Sequence, residues 1–335
     1  MPSLVPQTRQ YWLPGLNTVS GRHTAGLSGW FTNGDYQVFD PLTPSALAST
    51  HADIFVLTVG NRPQFLASVA ADCSRMMSAA IESVASIRRI DTLPRSGGWL
   101  VVKSYYSSFF AAHAILRMLG TCCVHLDTGL PADINKIITL YGMANGLSVT
   151  SGGYTCTYDP VHHKLTCTKD SGARGGSHQA MWAVFLSRVR QLGNDILAGG
   201  VGLIVERQDA VRQLDELATN LAFAGYTANG GWLSAVRNKV NYQQDLGVWF
   251  PYTGRDKASA DSLYTFFDEW TSKSCDIPLT SRIGGELFRF VRTSMFIVRL
   301  AREMADDMSV RHPSNRSFYT QGPIAILKLL RHGTG

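Results

Sequence analysis

The sequence predicts a mostly α protein, a helical bundle with an inserted β-hairpin and an irregular N-terminal arm. Three observations carry this reading. Between Arg62 and Ile90, Phe65, Val69, Cys73, Met76, Met77, Ala80 and Val84 recur at spacings of three and four, the period of an amphipathic helix. The run GGWLVVKSYYSSFFAAHAILRMLG from Gly97 to Gly120 is apolar on nearly every face, which suits a helix at the centre of a bundle. YTCTYDPVHHKLTCTK, Tyr154 to Lys169, alternates about a turn near Val161 and reads as a two-sided hairpin that sets Cys156 opposite Cys167.

The remaining elements follow in chain order. The first forty residues, rich in Gly, Pro, Asn and Thr, intersperse Tyr11, Trp12, Trp30, Phe31, Tyr36 and Phe39. They read as an irregular or short-stranded arm that drapes over a core by its aromatics. Helical patterning starts near Thr43, strengthens from Arg62, and breaks at Asp91 to Gly98 around Pro94. After the aromatic helix, Asp133 opens another helix that ends near Gly142. The hairpin with its Gly-rich exit occupies 148–176. Ser177 is placed to cap a helix beginning at His178 with Met181, Trp182, Phe185 and Val189 on one side. Further helices are expected at 207–223, 232–242, 259–274 and 285–308, and Pro313 introduces a tail with a short basic helix after Pro323. The organisation is therefore an arm and helices over 1–90, the bundle over 91–310 interrupted at 148–176, and a basic tail over 311–335.

Composition bounds the function. Hydrophobic residues make up 45% of the 335 positions and charged residues 17%, so the charged surface is lean and some exposed apolar area is expected to meet another protein. The N-terminus lacks a basic region followed by an apolar run, which makes the cytoplasm the expected compartment. Lys103 and Arg117 bracket too few uncharged residues for a bilayer crossing, which needs about 20, so no membrane partner is expected. The six cysteines make no zinc spacing. His162 and His163 at the hairpin tip are the nearest approach to a metal site, and neither a metal nor a cofactor is expected. No P-loop, HExxH or GxSxG motif is present.

Charge is uneven. Of the net +6, the segment from Arg282 onward contributes +5, from nine Lys or Arg against four acids. At 100° per residue, Arg282, Arg289, Arg292 and Arg299 flank the apolar face of Phe288, Val291, Met295 and Val298. Such a stripe is a candidate electrostatic footprint for RNA; its plain alternative is a solvated helix face.

The aromatic helix with its YYSSFFAAHAIL core, followed later by RNKVNY at Arg237 to Tyr242, resembles the HEPN superfamily of small helical bundles. In the ribonuclease members the later motif is Arg, a polar residue, three variable residues and a catalytic His. Arg237 and Asn238 fit it, while Tyr242 stands at the His position. The chain looks closer to the branch whose motif ends in Asp-Tyr, with Asn241 replacing the Asp. The resemblance implies a metal-independent endoribonuclease in which two motif helices from two subunits face one another, so self-association or a partner encoded nearby is implied as well. Arg237 would hold the scissile phosphate, Asn238 would orient it and Tyr242 would assist. A phenol titrating near ~10 is a poor base at neutral pH, so His178 or His113 would have to stand in for the missing imidazole. The context implied is a bacterial toxin or antiviral-defence system, with RNA as the ligand. The alternative is a catalytically silent accessory or scaffold protein in which Arg237, Asn238 and Tyr242 form a buried polar network that fixes the register of the bundle.

Overall fold

The computed structural model describes residues 4–37, 54–87, 97–140, 148–170, 176–199, 201–223, 229–249, 263–264, 267–271 and 285–332. Asn61 starts the first long helix, α3 (Arg62–Ala85), by accepting from the Gln64 N–H at 3.0 Å, with Pro63 in the first turn where no N–H is needed. Helix α4 (Gly97–Met118) is buried on almost every side, as its all-round apolar sequence requires, and packs against α3, α8 (Trp232–Tyr242) and the long α9 (Gly285–Val310). After α5 (Gly129–Leu140), helices α6 (Gly176–Ala198) and α7 (Ile204–Leu221) pack together as a second pair. No helix among the described residues is long and apolar enough to cross a membrane.

The N-terminal arm is more helical than its composition suggests. Two short helices, α1 (Leu4–Thr8) and α2 (Leu27–Asn33), with 3₁₀ turns between them, lead to strand β1 (Tyr36–Gln37). Trp12, Trp30 and Phe31 are buried in the same apolar cluster that includes α3, α4 and α9. Of the expected helix at 259–274, only 263–264 and 267–271 fall within the described residues, the latter including a 3₁₀ turn at Asp268–Thr271.

The β-hairpin is the centre of a larger sheet. Strands β4 (Gly152–Asp159) and β5 (Lys164–Lys169) pair with Cys156 opposite Cys167. β5 also pairs with β2 (Ile54–Val59), and β4 with β3 (Thr121–Leu126), giving a five-stranded antiparallel sheet ordered β1-β2-β5-β4-β3. The reading of 54–59 as part of a helical stretch is thereby corrected. IFVLTV is six residues long and β-branched at four positions, and a run that short carries no helical period. One sheet face, with Phe55, Leu57, Tyr154, Cys156, Tyr158 and Leu165, is buried; the other carries Thr155, Thr157, Thr166 and Thr168. At the hairpin tip, His162 bonds Asp159 at 2.7 Å and His163 bonds the Tyr158 hydroxyl at 3.0 Å. Among the described residues, no cluster of three or more His, Cys, Asp or Glu side chains is placed to hold a metal ion.

Asp72 ties arm to bundle. Its carboxylate accepts from the Leu27 N–H at 3.3 Å at the start of α2, pairs with Arg75, and lies 3.7 Å from Nε of Arg117, a residue only 3% exposed. Replacing Asp72 with Asn is expected to cost about 3 kcal/mol, because it leaves a buried guanidinium without its carboxylate. Urea denaturation checks this, and a loss below about 0.5 kcal/mol would mean that carbonyls alone carry the Arg117 charge.

Candidate functional site

Packing of α8 on α4 brings the two quoted motifs together. Arg237 points from α8 onto the aromatic helix, with its guanidinium carbon 5.0 Å from the Tyr105 ring centre and 5.7 Å from that of Tyr106. One terminal nitrogen donates to Asn238 Oδ1 at 2.8 Å and to the Tyr242 hydroxyl at 3.3 Å. Arg237 is 6% exposed, whereas Tyr242 is 72% exposed and lies with its ring over the guanidinium. Both polar neighbours in the motif are thus turned toward Arg237 itself. Asn241, at the Asp position of the Asp-Tyr branch, is exposed.

A second layer sits behind this one. The Tyr105 hydroxyl accepts from the Trp182 indole N–H at 3.2 Å and contacts His178 Nδ1 at 2.8 Å. Indole can only donate, so the phenol oxygen accepts there and keeps its own O–H free to donate to Nδ1, an arrangement that goes with the proton of neutral His178 on Nε2. The imidazole stacks on Phe109 with centroids 4.4 Å apart. Its pKa is held below the ordinary histidine range, by burial first and by the Arg237 cation second. The Tyr105 phenol is pushed above its ordinary value, chiefly by burial. Of the two histidines considered as stand-ins, His178 therefore lies one tyrosine away from Arg237. His113 lies on the far side of Phe109, accepts from Arg117 Nη1 at 3.1 Å, and has its pKa pushed down to about 3.

The arginines of α9 do not form a solvent-facing stripe. Arg282 lies outside the described residues. Arg292 and Arg299 are buried, and Arg299 donates to Glu303 at 3.0 Å. The neighbouring Arg302 is buried too and donates to the Trp270 carbonyl at 2.7 Å. Arg289 is half-buried, bonded to Asn220 and held 4.1 Å over the Phe223 ring. The helical period places these side chains beside the apolar face correctly. What it does not supply is the neighbours that pack against α9, α4 first, with the 267–271 segment receiving Arg302 and α7 receiving Arg289.

The two sequence motifs already contained Tyr105 and Tyr106 beside Arg237, Asn238 and Tyr242, and the fold brings these five side chains together; Trp182 carried no functional signal, because a buried aromatic on an apolar helix reads as core. Chemically, the cluster offers one desolvated cation, one neutral imidazole and three phenols, without a carboxylate on Arg237 among the described residues. No protein-family model, curated protein or solved structure matches the chain.

Proposed function

We propose that the chain is a catalytically silent accessory or scaffold protein, and that the Arg237 cluster fixes the register of α8 on α4. The observation that carries this reading is the enclosure of Arg237: its guanidinium is covered by tyrosine rings, and Nη1 bonds Asn238 and Tyr242 of its own helix while Nε is buried without a hydrogen-bond partner. Cation–π contacts and hydrogen bonds of this kind favour one packing arrangement. Exposed apolar side chains support a protein partner in this reading. Around the α6–α7 turn, Leu197, Val201, Leu203, Ile204 and Val205 are each more than half exposed, a concentration of apolar surface of the sort that marks protein contact sites.

A second reading, an RNA-binding or metal-independent RNA-cleaving component of a bacterial toxin or antiviral-defence system, is favoured by the lack of a carboxylate on Arg237 and by the nearness of His178. In that case a phosphate would displace the Tyr242 ring and take the guanidinium, with His178 as the proton-handling group.

Arg237→Ala and Tyr242→Phe separate the two. In the scaffold reading, Arg237→Ala lowers the unfolding free energy by about 1 to 3 kcal/mol, Tyr242→Phe changes it by less than about 0.5 because the phenol is exposed, and neither alters behaviour toward RNA. Cleavage of RNA by the parent chain that disappears in a folded Arg237→Ala protein of unchanged melting temperature would replace the scaffold reading with the nuclease one.

A further inference from the structure

About 15 Å along α6 from His178, ten residues at 1.5 Å each, the same helix borders a cavity that the Arg237 cluster does not reach. Its volume is about 660 Å³, within the range of small-molecule sites. Three walls enclose it: the arm at Gln10–Pro14, the threonine-bearing face of β3 and β4, and the α6 face with Val184, Ser187, Arg188 and Gln191. The walls are pinned. Leu13 N–H donates to the Met118 carbonyl at 2.6 Å, Tyr158 N–H donates to the Gly120 carbonyl at 2.9 Å, and the Tyr11 hydroxyl donates to the Asp195 carbonyl. Gly120, at φ +76°, makes the reversal from α4 into β3 that an L side chain would resist.

The lining has a definite chemistry. It includes no carboxylate and one cation, Arg188, among amide and hydroxyl donors from Gln10, Gln191, Ser187, Thr121 and Thr157. Trp12, Leu13, Pro14, Leu119 and Val184 supply an apolar remainder. Arg188 is poorly satisfied by the protein. Nη2 reaches the Leu119 carbonyl at 3.4 Å, Nη1 stands 3.7 Å from Asp195, and Nε is buried without a hydrogen-bond partner. Asp195 also accepts from Gln191 at 2.8 Å, so its charge is shared. Burial lowers the Arg188 pKa, the mark of a guanidinium whose lost hydration is incompletely replaced. A guanidinium in the wall of a cavity whose lining is rich in donors and holds no carboxylate, and whose own protein partners are long or missing, suits an acceptor carrying negative charge.

We infer that this cavity binds a small organic anion, a carboxylate or phosphate monoester on a flat apolar body, with Arg188 holding the anionic group and the apolar wall holding the body. The inference stands independently of the scaffold and nuclease readings.

Titration calorimetry on the full chain tests it with adenosine 5′-monophosphate, benzoate, inorganic phosphate and adenosine. Binding of the monophosphate or of benzoate is expected, at least tenfold tighter than that of adenosine or of phosphate alone; which of the two binds identifies the anion. Arg188→Gln is expected to weaken binding at least tenfold. Should that variant fold poorly, Val184→Trp, which fills the cavity and leaves the charge in place, is expected to abolish binding with the melting temperature retained. Adenosine binding as tightly as its monophosphate, binding indifferent to both substitutions, or no heat from any probe would each overturn the assignment.

Discussion

Lowering the pH from 6.5 to 5 is expected to cost the folded protein about 2 kcal/mol, most of it from His113. This imidazole is 8% exposed on α4, and its pKa is pushed down to about 3, by burial first, then by the Arg117 guanidinium and then by His178. The geometry agrees with the direction of that shift: Arg117 donates to Nδ1, which must therefore be unprotonated, and the edge of Phe109 closes another side. A histidine whose folded pKa is depressed contributes nothing to pH dependence above its unfolded pKa near ~6.5. Below that value the unfolded chain takes up a proton that the folded chain refuses, so stability falls by about 1.4 kcal/mol per pH unit until the folded pKa is reached. His178 adds a smaller loss of the same sign, reduced by its partial exposure to solvent. Urea denaturation at pH 7, 6 and 5 measures the slope, and His113→Gln, which keeps an acceptor for Arg117, is expected to remove most of it. An unchanged slope in that variant would assign the acid sensitivity elsewhere. The chosen window lies above the range in which ordinary carboxylates titrate.

The same pair of residues shows what sequence can and cannot convey. Helical spacing placed His113 and Arg117 one turn apart, and the all-round apolar pattern placed their helix in the middle of the molecule, where α4 lies. Nothing in the spacing says that Asp72 lies across the interface, 45 positions earlier in the chain. The α9 arginines make the point in reverse. Their angular position was legible, yet their exposure depends on α4, α7 and the 267–271 segment, which no local pattern connects to them. The sheet was half legible: the mirrored TCT segments gave β4, β5 and the Cys156–Cys167 register, while β2 and β3, six residues each, offered too few positions for a period to be read. For the candidate site, the order of two motifs brought Tyr105, Tyr106 and Arg237 under suspicion of contact. The hydrogen bond from Tyr105 to His178 spans 73 positions between two helices and had to come from the fold.

Trp182 is where site and core become one structure, and Trp182→Ala is expected to be the most damaging substitution in this region, costing about 3 to 5 kcal/mol. The indole is fully buried, packs edge-on against Phe185 at 5.8 Å and Phe109 at 6.2 Å, and gives its N–H to the Tyr105 hydroxyl. Gly230, at φ +81°, brings the chain so close to the Trp182 backbone carbonyl that a Cβ there would stand 2.6 Å from it, so the helix has little room to settle into the space left by the ring. Trp182→Phe separates packing from the hydrogen bond. It keeps most of the ring and loses the donor, and about 1 kcal/mol is expected because the phenol still has His178 to donate to. The effect on His178 provides a second readout. Burial is the first cause of its lowered pKa, so in Trp182→Phe its titration, followed by NMR, is expected to stay below the ordinary range. In Trp182→Ala, where water reaches the Tyr105–His178 pair, it is expected to move back toward ~6.5. An Ala variant that loses less than about 1 kcal/mol and leaves the His178 titration unmoved would show that Tyr105 and Phe109 hold the imidazole without the indole, and that register on this side of the bundle is set by Arg237 alone.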